Sequence, residues 1–530
     1  MENASFPVLS YTTFLPLIGA AILLFINRES RETMRWIALV FMLADFAVSL
    51  AAYFMFDSST ATMQLVESHP WVRDWGISYK LGIDGISLFL VLLTTFLGPI
   101  CVLAAWNDIQ HRVKEFLISL LVLQTGMIGV FVALALFLYS VVGEIMLIPM
   151  YLLIGVWGNP ARRLYAAIKF VLYTVVGSLL MLVAILALYF MAGAGGEGYT
   201  FDLLKLYEFP VPTHAQYWMF LAFFLAFAIK VPMFPFHTWL PDAHTEAPTV
   251  GSVMLAAVLL KMGTYGFIRY AIPLFPNAAL DAAWWICLLA VIGIIYGAWV
   301  AMVQVDVKRL VAFSSVSHLG FVMLGMFAFT AQGLEGSIIQ MVNHGLSTGA
   351  LFLIVGMIYE RRHTRLIAEY GGISKVMPTY AVFFMIFTLS SVGLPGLNGF
   401  VGEFLILVGT FKVYPWYAVF GATGVIFAAV YMLWMFQRVM FGEVTNRKNL
   451  SLKDLSGREF VILAPIVVFC IWIGVYPNTF LKPMEPSVKN FIQVVEKKRA
   501  AVLDLEKAKQ KSAGIGATIA VTSSLETIGR

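Results

Sequence analysis

Charge is scarce in this chain: Asp, Glu, Lys and Arg supply 12% of its 530 residues against 60% hydrophobic, a balance no soluble globular domain sustains. Cysteine is scarcer still. Cys101, Cys287 and Cys470 stand alone in separate apolar runs, with no CxxC pair to hold zinc or an iron–sulfur cluster, and read as packing residues. No glycine-rich phosphate loop and no dinucleotide fingerprint occurs. Any redox chemistry linked to this chain therefore belongs to a partner, and no cofactor or metal is expected on it. The net charge of +5 comes from loops and a basic tail; it reports topology and gives no sign of nucleic-acid binding.

Long apolar runs fill the rest. A helix crosses lipid with about 20 apolar residues, so the expected fold is all-α, a polytopic bundle of about 14 transmembrane helices. The expected spans are 7–26, 34–56, 85–106, two within 116–157, then 166–191, a span ending at Lys230, 249–271, 280–303, 309–330, 336–358, 379–411, 416–440 and 460–480. Residues 116–157 carry no Gly, Pro or Asn at the point where two spans need a turn, and length alone puts it near Val132 to Ala135. Residues 57–83 read as a loop anchored by Trp71 and Trp75, and Asp84 as a helix N-cap.

Eighteen basic residues cluster in alternate loops: Arg28, Arg31, Arg35, Arg112, Lys114, Arg162, Arg163, Lys169, Lys308, Arg309, Arg361, Arg362, Arg365, Lys375, Arg447, Lys448, Lys453 and Arg458. Only Arg73, Lys80, Lys205, Arg269 and Lys412 fall in the others, so the first group is cytoplasmic and the N-terminus outside. The first span lacks a basic leader and a small-residue cleavage site, so no cleavable signal is expected. The tail from Pro486 is basic yet falls outside in this count. Either it follows its upstream helices or the count is off by one span.

The organising stretch is KVPMFPFHTWLPDAHTEAPTVGSVMLAAVLLK, from Lys230 to Lys261. It breaks its helix at Pro232, Pro235 and Pro241 and carries a lysine at each end. A second break, SVGLPGLNGF, interrupts the twelfth span five spans later. Paired broken helices mark repeats around a polar cavity. The domain reading is a three-helix segment 1–106, inverted five-helix repeats at 107–275 and 276–441, a fourteenth helix at 442–484 and a tail at 485–530.

Six ionisable residues lie inside expected spans: Glu144, Lys230, Lys261, His318, His344 and Glu403. A charge at membrane depth costs about 2.5–3.5 kcal/mol on insertion scales and marks function by default. Glu144 and Lys230 also fit a fixed structural ion pair, and His318 and His344 fit hydrogen-bonded packing histidines. Six such groups in one bundle favour ion transport. His237 and His244, in the break and its loop, extend a polar path or satisfy freed backbone groups.

The same Lys230 stretch, continued through MGTYGFIR, resembles the antiporter-like subunit M family of bacterial NADH:quinone oxidoreductase, respiratory complex I, which is similar to mitochondrial NADH dehydrogenase subunit 4. YKLGIDGISLFLVLLT, GEIMLIPMYLLIGVWG, KRLVAFSSVSHLGFV and GLPGLNGFVGEF extend the likeness over about residues 75 to 440. HTWLPD is shared with Mrp-type cation/proton antiporters; Glu403, where sister subunits carry lysine, points to subunit M.

The resemblance implies Glu144 and Lys230 as an input pair, Lys261 as the central lysine, His318 and His344 as connectors, and Glu403 as the terminal carboxylate. It implies a bacterial inner membrane, neighbouring membrane subunits as partners, protons as cargo, and NADH, FMN, iron–sulfur clusters and quinone on other subunits. An Mrp-type antiporter subunit, a membrane-bound hydrogenase subunit and a structural scaffold are the alternatives.

Overall fold

The computed structural model describes residues 6–196 and 198–528, excepting the side chains of residue 506 and residues 508–528. Among the described residues, fifteen main helices and a two-stranded hairpin make the bundle. They are α1 (Val8–Phe25), α2 (Arg31–Met55), the strands β1 (Gln64–Val72) and β2 (Ile77–Ile83), α3 (Leu88–Asp108), α4 (Val113–Val132) and α5 (Leu136–Trp157). Then follow α6 (Arg163–Ala194), α7 (Thr213–Lys230), α8 (Thr249–Leu274), α9 (Pro276–Met302), α10 (Val307–Phe327) and α11 (Ala331–Arg362). Next come α12 (Pro378–Val392), α13 (Asn398–Phe411), α14 (Pro415–Met440) and α15 (Gly457–Val475). Among the described residues 12 of these helices are long and apolar enough to cross a membrane, against the 14 spans expected. α7, with a polar first turn, and the short pair α12 and α13 fall outside that set.

α8, α10 and α11 are apolar and buried on every side, so they form the inner column of the bundle. α2, α6 and α15 bury only one stripe and stand at its rim.

The stretch read as a loop at 57–83 is instead an antiparallel hairpin, turned at Gly76 in the left-handed region at φ +61°. It serves two neighbours. Buried Glu67 accepts from Leu9 N at 2.8 Å, capping the first turn of α1. Lys80 O accepts from Leu134 N at 2.9 Å, inside the turn between α4 and α5. That turn falls at 133–135, where length had put it, and borrows the rest of its backbone partners from Phe201 and Leu203 at 2.9 Å each. A turn satisfied by distant backbone requires no glycine or proline of its own.

Both breaks are equally well satisfied. Past Lys230, Trp239 Nε1 donates to Ile229 O at 2.9 Å and Met233 N to Ala228 O at 2.9 Å. A short helix, Trp239–Glu246, leads from there into α8. Between α12 and α13, Gly393 and Gly396 take φ +82° and +92°, and Asn343 Nδ2 donates to Asn398 O at 2.7 Å.

The last helix, α16 (Asn478–Ile528), turns back from α15. Gly85 N donates to Ser487 Oγ at 2.9 Å and Lys498 Nζ to Leu206 O at 2.8 Å, which lays the tail on the hairpin face. It follows its upstream helices despite its charge.

Candidate functional site

Four of the six ionisable residues form one buried line through the inner column. Lys261, on α8, is wholly buried; its ammonium donates to Ala256 O and lies 2.6 Å from His344 Nδ1 on α11. The widened π-helical turn Leu255–Leu259, one residue longer than an α turn, precedes this lysine. The His344 and His318 rings are 5.9 Å apart, and His318 Nδ1 lies 2.9 Å from Glu403 Oε1 on α13. Gln340 Nε2 donates to the same oxygen at 3.2 Å. Glu403 Oε2 is buried without a partner and faces Gly393, where an added Cβ would sit 3.1 Å from it. Each member touches or faces the next, and all four are side chains of titratable type.

The other two stand apart. Lys230 ends α7 at 5% exposure beside Gly143, where an added Cβ would sit 3.8 Å from its Nζ. Glu144 is the next residue but forms no direct ion pair with Lys230; it is half-buried at the rim of the bundle, next to exposed Ile145 and Ile148. No hydrogen bond joins Lys230 to Lys261 among the described residues. Their helices are nonetheless in close contact, because an added Cβ on Gly263 would fall 2.9 Å from Lys230 Cβ.

His244 is buried, stacked 4.6 Å from Phe352, with both ring nitrogens unpartnered. Lys261 and Lys308 both act on it electrostatically. Beyond it, on the face opposite the hairpin, opens a cavity of about 250 Å³ lined by Asp108, His111, Glu246, Lys308 and Arg365. His237 is buried between Phe234 and Tyr296, away from that route, with Nδ1 unpartnered.

Sequence reading missed several buried charges. Asp45, on α2, is wholly buried and accepts from Gln124 Nε2 at 2.7 Å; a lone Asp in an apolar run was the available signal. Arg269, counted with the outside loops, is buried within α8 and pairs with Asp84 at 2.5 Å. Asp84 is not the helix N-cap expected of it: α3 starts at Leu88 with Ser87 at the cap, and Asp84 accepts from Ile86 N and Ser87 N in the turn ahead of it while holding Arg269. Lys308, counted as a loop residue, is 7% exposed and bonds Ala247 O.

Residues 133–430 match the family model described as NADH:quinone oxidoreductase/Mrp antiporter, TM, and residues 12–130 match NADH-ubiquinone oxidoreductase chain 4, amino terminus. The chain is 48% identical over 504 residues to NADH-quinone oxidoreductase subunit M of Rhodobacter capsulatus, covering 92% of this chain and 96% of that one. It belongs to the subunit M/chain 4 family of NADH:quinone oxidoreductase. NADH-ubiquinone oxidoreductase chain 4 of Arabidopsis thaliana is 46% identical over 485 residues, 92% of this chain and 97% of its own.

Among solved structures, a chain of respiratory complex I from Thermus thermophilus matches with a TM-score of 0.84 at 33% identity, covering 92% of this chain and 99% of that chain. A chain of the Mrp complex from Dietzia sp. DQ12-45-1b shares the fold, with a TM-score of 0.80 at 18% identity over 92% of this chain and 100% of that chain. All six ionisable residues fall inside the NADH:quinone oxidoreductase/Mrp antiporter match at 133–430, while α15 and α16 lie beyond it.

Proposed function

We propose that this chain is the proton-translocating, antiporter-like subunit of an NADH:quinone oxidoreductase, driven by electron transfer in other subunits and carrying no redox centre itself. The observation that carries the reading is the buried line Lys261, His344, His318, Glu403, with contacts of 2.6 and 2.9 Å at its two ends. Groups of opposite charge type in one buried column pass a proton by losing and gaining a partner's charge.

Glu144, at the rim, is placed to sense a neighbouring subunit. A change of charge there alters the attraction on Lys230, which exchanges a proton with Lys261 through water, and Glu403 releases it or couples it onward. The unpartnered His244, between Lys261 and the cavity at Asp108 and Glu246, supports entry from the face opposite the hairpin. Carrying one charge against 100 mV costs about 2.3 kcal/mol. That is under two pKa units at about 1.36 kcal/mol each, within reach of one partner charge.

The two helix breaks, after α7 and between α12 and α13, support reading 107–275 and 276–441 as inverted repeats. The location we propose is a bacterial inner membrane with the hairpin face outward, a reading supported by the asymmetry of basic residues between alternate loops. The test is redox-driven proton pumping in inverted membrane vesicles, with NADH-to-quinone turnover followed in parallel, for native protein and Lys230→Ala in an assembled complex. Loss of pumping supports the assignment. Unchanged pumping sinks it, and sodium-dependent transport without NADH would favour an Mrp-type antiporter.

A further inference from the structure

Helix α16 lies beyond both family matches and roofs a cavity of about 620 Å³ on the hairpin face. Its walls include Asp84, Glu208, Arg269, Asn490, Lys497 and Lys498. Arg269 is neutralised by Asp84 at 2.5 Å. Lys498 is not neutralised. Its side chain is 4% exposed, its ammonium donates to the Leu206 carbonyl at 2.8 Å, and no ion pair joins it to Glu208 or to any other described carboxylate. Burial alone pushes its amine down to about 7. An ammonium has three donors, and a buried cation left uncompensated beside a cavity is costly until an anion arrives.

We propose that this cavity binds a phosphate-bearing anion, held by Lys498 and Lys497 through charge-assisted hydrogen bonds, with the Asn490 amide as a neutral donor. At the edge of the membrane, on the face that carries the exposed Trp71 and Trp75, the headgroup of an anionic phospholipid brings that chemistry; inorganic phosphate presents the same oxygens. The apolar remainder of the wall, from Ile86, Pro273 and Phe491, suits the start of an acyl chain.

The test uses the assembled complex, delipidated and titrated with short-chain phosphatidylglycerol, phosphatidylcholine or inorganic phosphate, with bound ligand counted by native mass spectrometry. One phosphatidylglycerol per chain is expected, bound at least tenfold more weakly in Lys498→Gln, about threefold more weakly in Lys497→Gln, and near normally in Lys498→Arg. Phosphate binding with the same lysine dependence, without the lipid, keeps the site and assigns it to a free anion. Equal retention of phosphatidylcholine, or anion binding indifferent to both lysines, overturns the proposal. Lys497 is exposed, so its variant reads the site even if Lys498→Gln loosens α16.

Discussion

His318 and Glu403 lie 85 positions apart in the chain and meet at 2.9 Å inside the bundle, one oxygen of the carboxylate shared with Gln340 and the other turned toward Gly393 without a partner. Replacing Glu403 by Gln keeps the shape and one acceptor oxygen and removes the titration. Thermal stability is expected to fall by no more than about 1–3 kcal/mol, the cost of a buried amide left without a partner, while redox-driven pumping in vesicles falls several-fold. Equal pumping would make the contact purely structural.

Lys261 has a carbonyl and an imidazole for company and no bonded carboxylate. Apolar replacement of a buried ion pair is often neutral or stabilising by about 1–4 kcal/mol, and a cation buried with no carboxylate is costlier still to hold. Lys261→Met is therefore expected to unfold no earlier than native in a thermal scan while losing proton pumping. A protein both unstable and inactive would point to scaffolding.

Gly393 combines φ +82° with the close approach of Glu403 Oε2. Gly393→Ala meets both obstacles, a left-handed backbone worth about 1–2 kcal/mol and a crowded carboxylate. The expected result is a loss of that size in stability, with lower pumping, whereas Gly396→Ala, where an added Cβ meets nothing within 4 Å, bears only the backbone cost and pumps normally.

Asp84 and Arg269 are both buried on the hairpin face. Breaking a buried pair from one side costs about 3–5 kcal/mol, because a lone charge is left behind. Asp84→Asn should lower the unfolding temperature of the chain markedly, and the double replacement Asp84→Leu with Arg269→Met should recover much of the loss. A double variant as unstable as the single one would refute the electrostatic account.

Burial lowers Lys498 to about 7 from the 10.5 of a free lysine. The sign follows from linkage: the undocked lysine binds a proton that the docked one sheds, so docking strengthens as pH rises from 7 toward 10.5 and is weakest, and constant, below 7. Protection factors for hydrogen exchange of residues 478–505 in anion-free buffer, corrected for the intrinsic rise of exchange with pH, should increase across that window; Glu208, Asp84, Arg269 and Lys497 are the charged groups that face the same cavity. Lys498→Met should remove the dependence.

The apolar runs made most of the architecture legible, because in lipid the backbone must satisfy itself and a run of sufficient length is close to a helix by necessity. The buried charges were legible for the same reason: Lys261 and Glu403 stand out against leucine and valine. What escaped was whatever depended on distant chain. The turn at 133–135 takes its hydrogen bonds from the hairpin and from residues near 202, so no local residue advertises it. Arg269 looked like a loop residue because its partner, Asp84, is 185 positions away. Glu144 and Lys230 illustrate the limit from the other side: both were found, but their lack of a direct bond is a matter of helix phase and separation that no motif encodes.

The π-helical turn ahead of Lys261 turns a carbonyl of its own helix, that of Ala256, onto the ammonium. The helix thus supplies part of its own solvent. A cation at that position has a resting place without a counter-ion travelling alongside it, and the interior behaves there as a capacitor plate whose dielectric is built from peptide dipoles, able to hold one charge while its neighbours change theirs.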